Sequence, residues 1–161
     1  FVGASTARFS EFVKGPGEIL AHARGERGPV LGHNPLGALS VLAMLALLIV
    51  QVSLGLFAVD IDGLESGPLS TYVSFDQGRI AAEGHEISFN ILLGLIVLHV
   101  ATIAFYGVVK HDNLVGPMIT GNKRFAPGAD FMARFAPIWR IVPGLVIAGG
   151  LVWLVMKAFK L

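Results

Sequence analysis

The sequence contains three long apolar stretches, at residues 36–59, 87–109 and 138–156, and they limit its fold more strongly than any other feature. About 18 or more apolar residues with few charges are enough for a helix to cross a lipid bilayer. Of the 161 residues, 54% are hydrophobic and 14% are charged, which is outside the range of ordinary soluble domains. We therefore predict an all-α fold, an integral membrane helical bundle with three transmembrane helices.

The composition also excludes several classes of function. The formal net charge is only +1, which gives no basis for binding nucleic acid. The sequence has no cysteine, so disulfides, iron–sulfur clusters and covalently attached c-type haem are excluded. The apolar stretches contain no paired carboxylates and no nucleophile with a base in reach, so no catalytic residues are predicted.

The residues before the first apolar stretch form a polar segment that we expect to lie on the cytoplasmic side. Glycine and proline at 15–17 and 28–29 interrupt it on either side of a short amphipathic piece, residues 18–23. We predict a helix at the membrane surface for this piece. Asn34 and Pro35 favour the start of a helix, as its cap and in its first turn, so the first span is expected to begin there.

The distribution of charge predicts the orientation of the spans. Residues 60–86 contain six acids and a single base, Arg79, whereas the segments on the other sides of the first two spans are rich in lysine and arginine. Basic segments of membrane proteins remain on the cytoplasmic side. We therefore expect residues 60–86 to form an outer loop and residues 110–140 to be cytoplasmic.

Two histidines in the second span are the main candidates for a functional site. His85 and His99 are 14 residues apart. At about 100° per residue this separation is about 40° short of four full turns, so both imidazoles point to nearly the same side of the helix. By the helical rise they are about 21 Å apart along the axis. The residues of the stripe between them are apolar apart from one hydroxyl: Ser88, Phe89, Leu92 and Ile96.

Polar residues inside a span are costly, so both histidines call for an explanation. Neutral imidazole is a common axial ligand of haem iron, and nitrogens about 21 Å apart cannot share one iron. As ligands they would serve two haems at different depths, each completed by a histidine from another helix. The alternative is that each imidazole only bonds to a neighbouring helix. The remaining histidines lie in or beside the cytoplasmic segments: His22, His33 and His111.

Other polar and small residues of the spans are interpreted as packing features. Gln51, Ser53 and Asn90 are expected to form hydrogen bonds between helices. Gly94 and Gly107 would allow close approach of a neighbouring backbone or of a flat macrocycle.

Several short motifs resemble those of the prokaryotic cytochrome b561 family, which includes the cytochrome b subunits of nickel–iron hydrogenases. They are A-R-F-S-E-F-V-K-G-P at 7–16, H-N-P-L-G at 33–37, H-E at 85–86 with L-H-V at 98–100, and K-H-D-N-L-V-G-P-M-I-T-G at 110–121. Their order and spacing are similar to the family's over about residues 1–124. The resemblance implies a four-helix core with two b haems.

In that family the fourth helix gives one axial ligand to each haem, and the first two helices give the others. The resemblance therefore implies that His85 and His99 are haem and iron ligands. The first span here would be the family's third helix, and the first two helices would be absent from this chain. The implied organisation is a cytoplasmic surface segment at 1–35, a haem-binding membrane core at 36–124, and a linker with an additional transmembrane helix at 125–161.

The resemblance implies transmembrane electron transfer in the bacterial cytoplasmic (inner) membrane, with the multi-pass chain surrounded by membrane lipid. The electron would pass between a redox partner at the outer surface, such as a cytochrome c or a hydrogenase-type subunit, and quinone or another carrier. The alternative is a haem-free membrane anchor subunit of a larger complex. The direction of electron flow, the oligomeric state and membership of an oxidoreductase complex stay open.

The acids of residues 60–86 suggest where such a partner would bind. Five of them are close to the end of the helix that carries His85, and we expect them to form its docking surface: Asp60, Asp62, Glu65, Asp76 and Glu83. The alternative is that they only follow the charge asymmetry of membrane loops and keep the segment hydrated.

Overall fold

The computed structural model describes residues 8, 13–24, 34–62, 65–121 and 137–159. It contains five α-helices in this part of the chain: α1 Pro16–Ala23, α2 Pro35–Phe57, α3 Phe75–Val108, α4 Val115–Thr120 and α5 Ile141–Phe159. Single 3₁₀ turns are present at Ser70–Tyr72 and Ile138–Arg140. No residue of the described ranges is in a β-strand. The all-α prediction is therefore confirmed.

Three of the helical segments are long and apolar enough to cross a membrane: Pro35–Phe57, Phe75–Val108 and Ile138–Ala158. Their outward side chains are large and apolar, as on Val97 and Leu145, which are 61% and 66% exposed. An apolar surface of this kind is stable in contact with lipid. The helical backbone can also lie in lipid, because a helix satisfies its backbone polar groups internally. The prediction of a multi-pass membrane protein with three spans is confirmed.

The described residues fall into two compact units. The first contains α1, the start of α2 as far as Val41, the end of α3 from Gly94, and α4. The second contains the rest of α2, the segment that connects α2 to α3, α3 as far as Leu93, and α5.

Within each unit, α2 and α3 run antiparallel to one another. In the first unit Ser40 contacts His99, and Asn34 contacts Tyr106 further along α3. In the second unit Gln51 bonds to His85, and the N–H of Val59, just after α2, donates to the carbonyl of Gly78 earlier on α3. In both cases the later residues of α2 pair with the earlier residues of α3, as in a helical hairpin.

The start of α2 is fixed by its first two residues. The side-chain oxygen of Asn34 accepts the backbone N–H of Gly37 at 2.7 Å, which satisfies one of the unpaired donors of the first turn. Pro35 is the first helical residue, a position where the missing N–H of proline has no cost. The predicted helix start is confirmed.

Helix α3 begins twelve residues before its apolar stretch, at Phe75 instead of residue 87. Ser74 and Gln77 form a reciprocal capping box there. The Ser74 N–H donates to Gln77 Oε1 at 3.0 Å, and the Gln77 N–H donates to Ser74 Oγ at 3.3 Å. Interpreting residues 60–86 as a loop is therefore wrong from residue 75 onward. The charged residues from 76 to 86 therefore lie on α3, in the part of the helix that precedes its apolar stretch.

The segment that connects α2 to α3 folds back on the end of α2. The N–H groups of Gly67 and Leu69 donate to the carbonyls of Ala58 and Leu56, each at 2.8 Å. Carbonyls at a helix C-terminus have no partner within the helix, so these bonds replace water there. A Cβ on Gly67 would lie 2.6 Å from the carbonyl oxygen of Leu56, so this close approach requires glycine.

A subset of the less exposed residues of α3 recurs alternately three and four positions apart, which is the heptad spacing of paired helices: Gly78, Ala81, His85, Ser88, Leu92, Leu95 and His99. A subset of α2 has the same spacing: Gly37, Ser40, Met44, Leu47, Gln51 and Leu54. The buried residue of α2, Ala38, lies next to this series. Fourteen residues are two heptads, so His85 and His99 occupy the same heptad position.

The remaining elements agree with the sequence in part. The predicted surface piece at 18–23 lies within α1, which begins after Gly15. Pro143 is in the first turn of α5 and does not interrupt that helix. His33 and residues 122–136, including the basic residues predicted to be cytoplasmic there, lie outside the described residues.

Candidate functional site

His85 is held by hydrogen bonds on both ring nitrogens. Its Nδ1 is 2.9 Å from the backbone carbonyl oxygen of Gln51, and its Nε2 is 2.9 Å from the side-chain nitrogen of the same residue. A carbonyl can only accept a hydrogen bond, so Nδ1 donates. The amide nitrogen of Gln51 can only donate, so Nε2 accepts. The contacts assign the neutral tautomer in which Nε2 has the free electron pair.

Ser88 extends this contact into a three-residue polar cluster. Its hydroxyl donates to Gln51 Oε1, and its oxygen is 3.0 Å from the carbonyl oxygen of His85. Ser88 is buried, so the hydroxyl is shielded from solvent. The cluster of His85, Gln51 and Ser88 is part of the α2–α3 interface.

A glycine of α2 leaves the space in which the His85 ring lies. A Cβ on Gly55 would lie 2.8 Å from Cε1 of the imidazole and 3.0 Å from Nδ1. These distances are too short for a real Cβ, so the ring packs directly on the α2 backbone. His85 itself is ten residues beyond the first residue of α3. It therefore lies within the helix and not at its start.

His99 forms fewer hydrogen bonds than His85 in the described structure. Its Nδ1 lies 3.3 Å from the hydroxyl oxygen of Ser40 on α2. Within the described residues, Nε2 of His99 has no hydrogen-bond partner. The imidazole is half-buried, in the unit that does not contain His85. The two histidines thus share a pattern in which Nδ1 faces an oxygen atom of α2.

The other polar residues of the spans behave less uniformly. Gln51 forms the predicted bonds between helices, but sequence reasoning did not identify it as the partner of His85. Asn90 is exposed and, among the described residues, donates to the carbonyl of Glu86 on its own helix and forms no bond to another helix. Ser53 is exposed, and the structure gives it no bond between helices in the described ranges.

Within the described ranges, neither the other histidines, His22 and His111, nor the small residues of the spans add a contact to these two sites. His22 is on α1, and its buried Nδ1 has no hydrogen-bond partner among the residues that the structure describes. His111 is exposed and has a backbone φ of 52°. A Cβ on Gly94 or Gly107 would have nothing within 4 Å in the described structure, so neither shows a close approach. In the described part of the chain, no three His, Asp or Glu side chains form a group that could hold a bare metal ion.

Three helical segments long enough to span a membrane, with two imidazoles that form hydrogen bonds to a neighbouring helix, define a multi-pass membrane protein. The chain belongs to the prokaryotic cytochrome b561 family, whose family model matches residues 8–121. The match covers both histidines and both helices that hold them. No curated protein and no solved structure shows significant similarity to the chain.

Membership confirms the resemblance found in the short motifs. It implies haem-mediated electron transfer across a membrane, because that is the activity of the family. The assignment of particular residues to the haems is a separate question.

Proposed function

We propose that the chain is the part of a di-haem b-type cytochrome that supplies one axial ligand to each haem, through Nε2 of His85 and Nε2 of His99. The observation that carries this proposal is the shared arrangement of the two rings. In each ring Nδ1 faces an oxygen of α2, so Nε2 is the nitrogen that would bind a metal, although on His85 it accepts a hydrogen bond from the side-chain amide of Gln51. Metal-binding histidines typically donate their other ring N–H to a carbonyl or a similar acceptor, which fixes the tautomer and the ring orientation.

The surroundings of His99 fit an iron ligand without rearrangement. Its Nε2 has no hydrogen-bond partner in the described residues, and the Ser40 hydroxyl can accept the proton of Nδ1. The second axial ligand of this iron would come from another helix, as the family pattern implies. This chain would therefore contribute one imidazole, from α3, to this iron site.

The surroundings of His85 fit an iron ligand once one side chain moves. The bond from Nδ1 to the Gln51 carbonyl already has the geometry of a supported ligand. The side-chain amide of Gln51 lies on Nε2, the nitrogen that iron would use. Glutamine side chains rotate freely compared with the backbone, so this group can turn away while the carbonyl stays in place.

Haem b supplies the one-electron chemistry when it is bound, and the chain supplies position and surroundings. His85 and His99 would each hold the iron of a different haem. The apolar heptad positions between them keep water out of the α2–α3 interface. The backbone and hydroxyl acceptors on Nδ1 increase the electron donation of each imidazole. Together these features tune the potential at which each site accepts an electron.

The charge pattern supports an orientation with the acidic segment outside and the basic segments in the cytoplasm. The redox partner at the acidic side would be a cytochrome c or a hydrogenase-type subunit, and quinone or another carrier would react elsewhere. This arrangement suits the inner membrane of a bacterium. A homodimer or a larger complex is compatible with the exposed apolar helix faces.

A haem-free membrane anchor is the second candidate. The hydrogen bonds of His85 support this candidate more strongly than the single contact of His99 does. Both ring nitrogens of His85 are already hydrogen-bonded across the interface, which is how a purely structural histidine is stabilised. The anchor would tether a larger complex and carry no electron.

A visible absorption spectrum separates the two candidates. Protein purified in detergent from its native host should show sharp b-type bands after reduction with dithionite, with a haem content of two per complete protein. A featureless spectrum from correctly folded material, prepared with added haem precursor, would exclude the cytochrome and favour the anchor.

A further inference from the structure

Gly55 and the carbonyl of Gln51 are one helical turn apart on α2, and together they contact one edge of the His85 ring. In a regular helix the carbonyl of residue 51 already accepts the N–H of residue 55. The same oxygen also accepts the Nδ1 proton of His85 at 2.9 Å. A side chain at position 55 would occupy the space through which the imidazole reaches this oxygen, since its Cβ would lie 3.0 Å from Nδ1.

We infer that Gly55 is a positioning residue for the His85 imidazole, because its missing side chain opens the Gln51 carbonyl to Nδ1 and fixes the plane of the ring. The inference rests on the proposed function, in which His85 is a haem ligand. Two contacts restrain the ring. The hydrogen bond holds Nδ1, and Cε1 lies against α2 in the space that a side chain at position 55 would fill.

The His99 ring lacks this double restraint. Its Nδ1 faces a serine hydroxyl at 3.3 Å, which is longer than the 2.9 Å bond of His85 and involves a group that can rotate. A shorter bond to a fixed carbonyl transfers more electron density to the imidazole. The two ligands are therefore unequal, and His85 is the stronger donor with the more rigid plane.

The plane and the basicity of an axial imidazole are measurable on the haem that it holds. The orientation of the ligand plane determines the low-field EPR line of a low-spin ferric haem. A more basic ligand stabilises the ferric state and lowers the reduction potential. Loss of the bond from Nδ1 should therefore move both quantities for the His85 haem and leave the His99 haem unchanged.

The test uses the haem-loaded protein with three substitutions: Gly55→Ala, Gly84→Ala and His85→Ala. The methyl of Gly55→Ala would press on the imidazole, at 2.8 Å from Cε1. We expect one EPR line to shift and the potential of the same haem to rise. Gly84→Ala is the matched control, because its methyl would lie 3.2 Å from Cδ1 of Leu54, a flexible side chain at the same interface. It should leave both haems as in the wild type.

Each result has a defined meaning. If Gly55→Ala displaces the ring so far that iron is lost, it should lose the same single haem as His85→Ala and keep the line of the other. Unchanged spectra and potentials in Gly55→Ala would overturn the inference, as would equal shifts in Gly84→Ala or loss of both haems in Gly55→Ala. If His85→Ala keeps two haems with unchanged lines, the ligand assignment itself fails.

Discussion

The hydroxyl oxygen of Ser40 lies 3.3 Å from Nδ1 of His99, across the pairing of α2 and α3. The corresponding acceptor for His85 is a backbone carbonyl. A substitution can remove the serine hydroxyl but not a backbone carbonyl. The acceptor of His99 can therefore be tested directly, whereas that of His85 cannot.

Ser40→Ala should keep the haem at His99 and raise its reduction potential, because the Nδ1 proton loses its acceptor and the imidazole becomes a weaker donor. The potential of the other haem should not change. Redox titration of the absorption bands measures both values. Ser53→Ala is the matched control, since Ser53 is on the same helix and exposed. A change of equal size in both variants would show that Ser40 does not act on His99.

His85→Ala and His99→Ala should each remove one haem and largely spare the other. Nitrogens about 21 Å apart along a helix cannot serve the same iron. The pyridine haemochrome assay counts the haems per protein. His111→Asn is the control, because His111 is exposed and asparagine tolerates its backbone φ of 52°. Equal haem content in all variants and the wild type would exclude both ligands.

Asn34 and Tyr106 should contribute unequally to stability. Asn34 donates to the Tyr106 hydroxyl at 3.2 Å and also caps α2. Tyr106→Phe removes only the bond between helices, worth about 0.6 kcal/mol in membrane proteins. Asn34→Ala also removes the cap, for a total of about 1–2 kcal/mol. Unfolding titrations in mixed detergent and SDS measure both, with the exposed Tyr72→Phe as the control. A larger loss for Tyr106→Phe than for Asn34→Ala would contradict the role of the cap.

The orientation can be measured with single cysteines, because the sequence contains none of its own. Glu65→Cys and Lys110→Cys place a thiol at exposed positions on either side of α3. In intact cells, an impermeant maleimide should label position 65 and spare position 110, because the basic side of a span is cytoplasmic. In inverted vesicles the pattern should reverse. Labelling of position 110 alone in intact cells would reverse the predicted orientation.

Replacement of Asp60, Asp62 and Glu65 by their amides should slow electron exchange between the partner and the nearer haem at low salt. Opposite charges mainly accelerate association, and ions screen the effect over about 8 Å at physiological ionic strength. Stopped-flow kinetics across a series of salt concentrations measures the difference, which should shrink as salt increases. Rates equal to the wild type at every salt concentration, with both haems bound, would place the docking surface elsewhere.

The spans and the alignment of the two histidines could be predicted from the sequence, because both follow from regular properties of a helix. Apolar length determines whether a helix can span the bilayer. The angle between His85 and His99 depends only on the number of residues between them. Neither prediction depends on which helices pack against each other.

The sequence predicted the start of the second span at residue 87, whereas α3 begins at Phe75. Hydropathy identifies the part of a helix that lies in lipid, and it does not identify polar turns that extend beyond the membrane. Residues 75–86 are polar, so they resemble a loop by composition. The signal that could have located the true start is the pair Ser74 and Gln77, which has the spacing of a capping box.

The partner of His85 could not be predicted because it depends on the register of α2 against α3. The sequence offers several polar residues on α2, and only the packed structure brings Gln51, and not Ser53, to the imidazole. The role of Gly55 has the same origin. The role of a glycine in a membrane helix cannot be assigned from sequence until the residue that packs against it on the neighbouring helix is known.

The folded-back segment after α2 has a consequence for how the acidic residues are presented. Its amides at Gly67 and Leu69 are bonded to helix carbonyls, and the Asp60 N–H donates to the Ser66 hydroxyl at 3.2 Å. Backbone bonds of this kind restrain the chain at Asp60, Gly67 and Leu69. If this segment is the docking surface, a partner that binds there would lose less entropy in ordering these residues than it would on an unrestrained chain. The affinity of that encounter would then depend more on the match between the charges of the two proteins than on the cost of ordering the backbone.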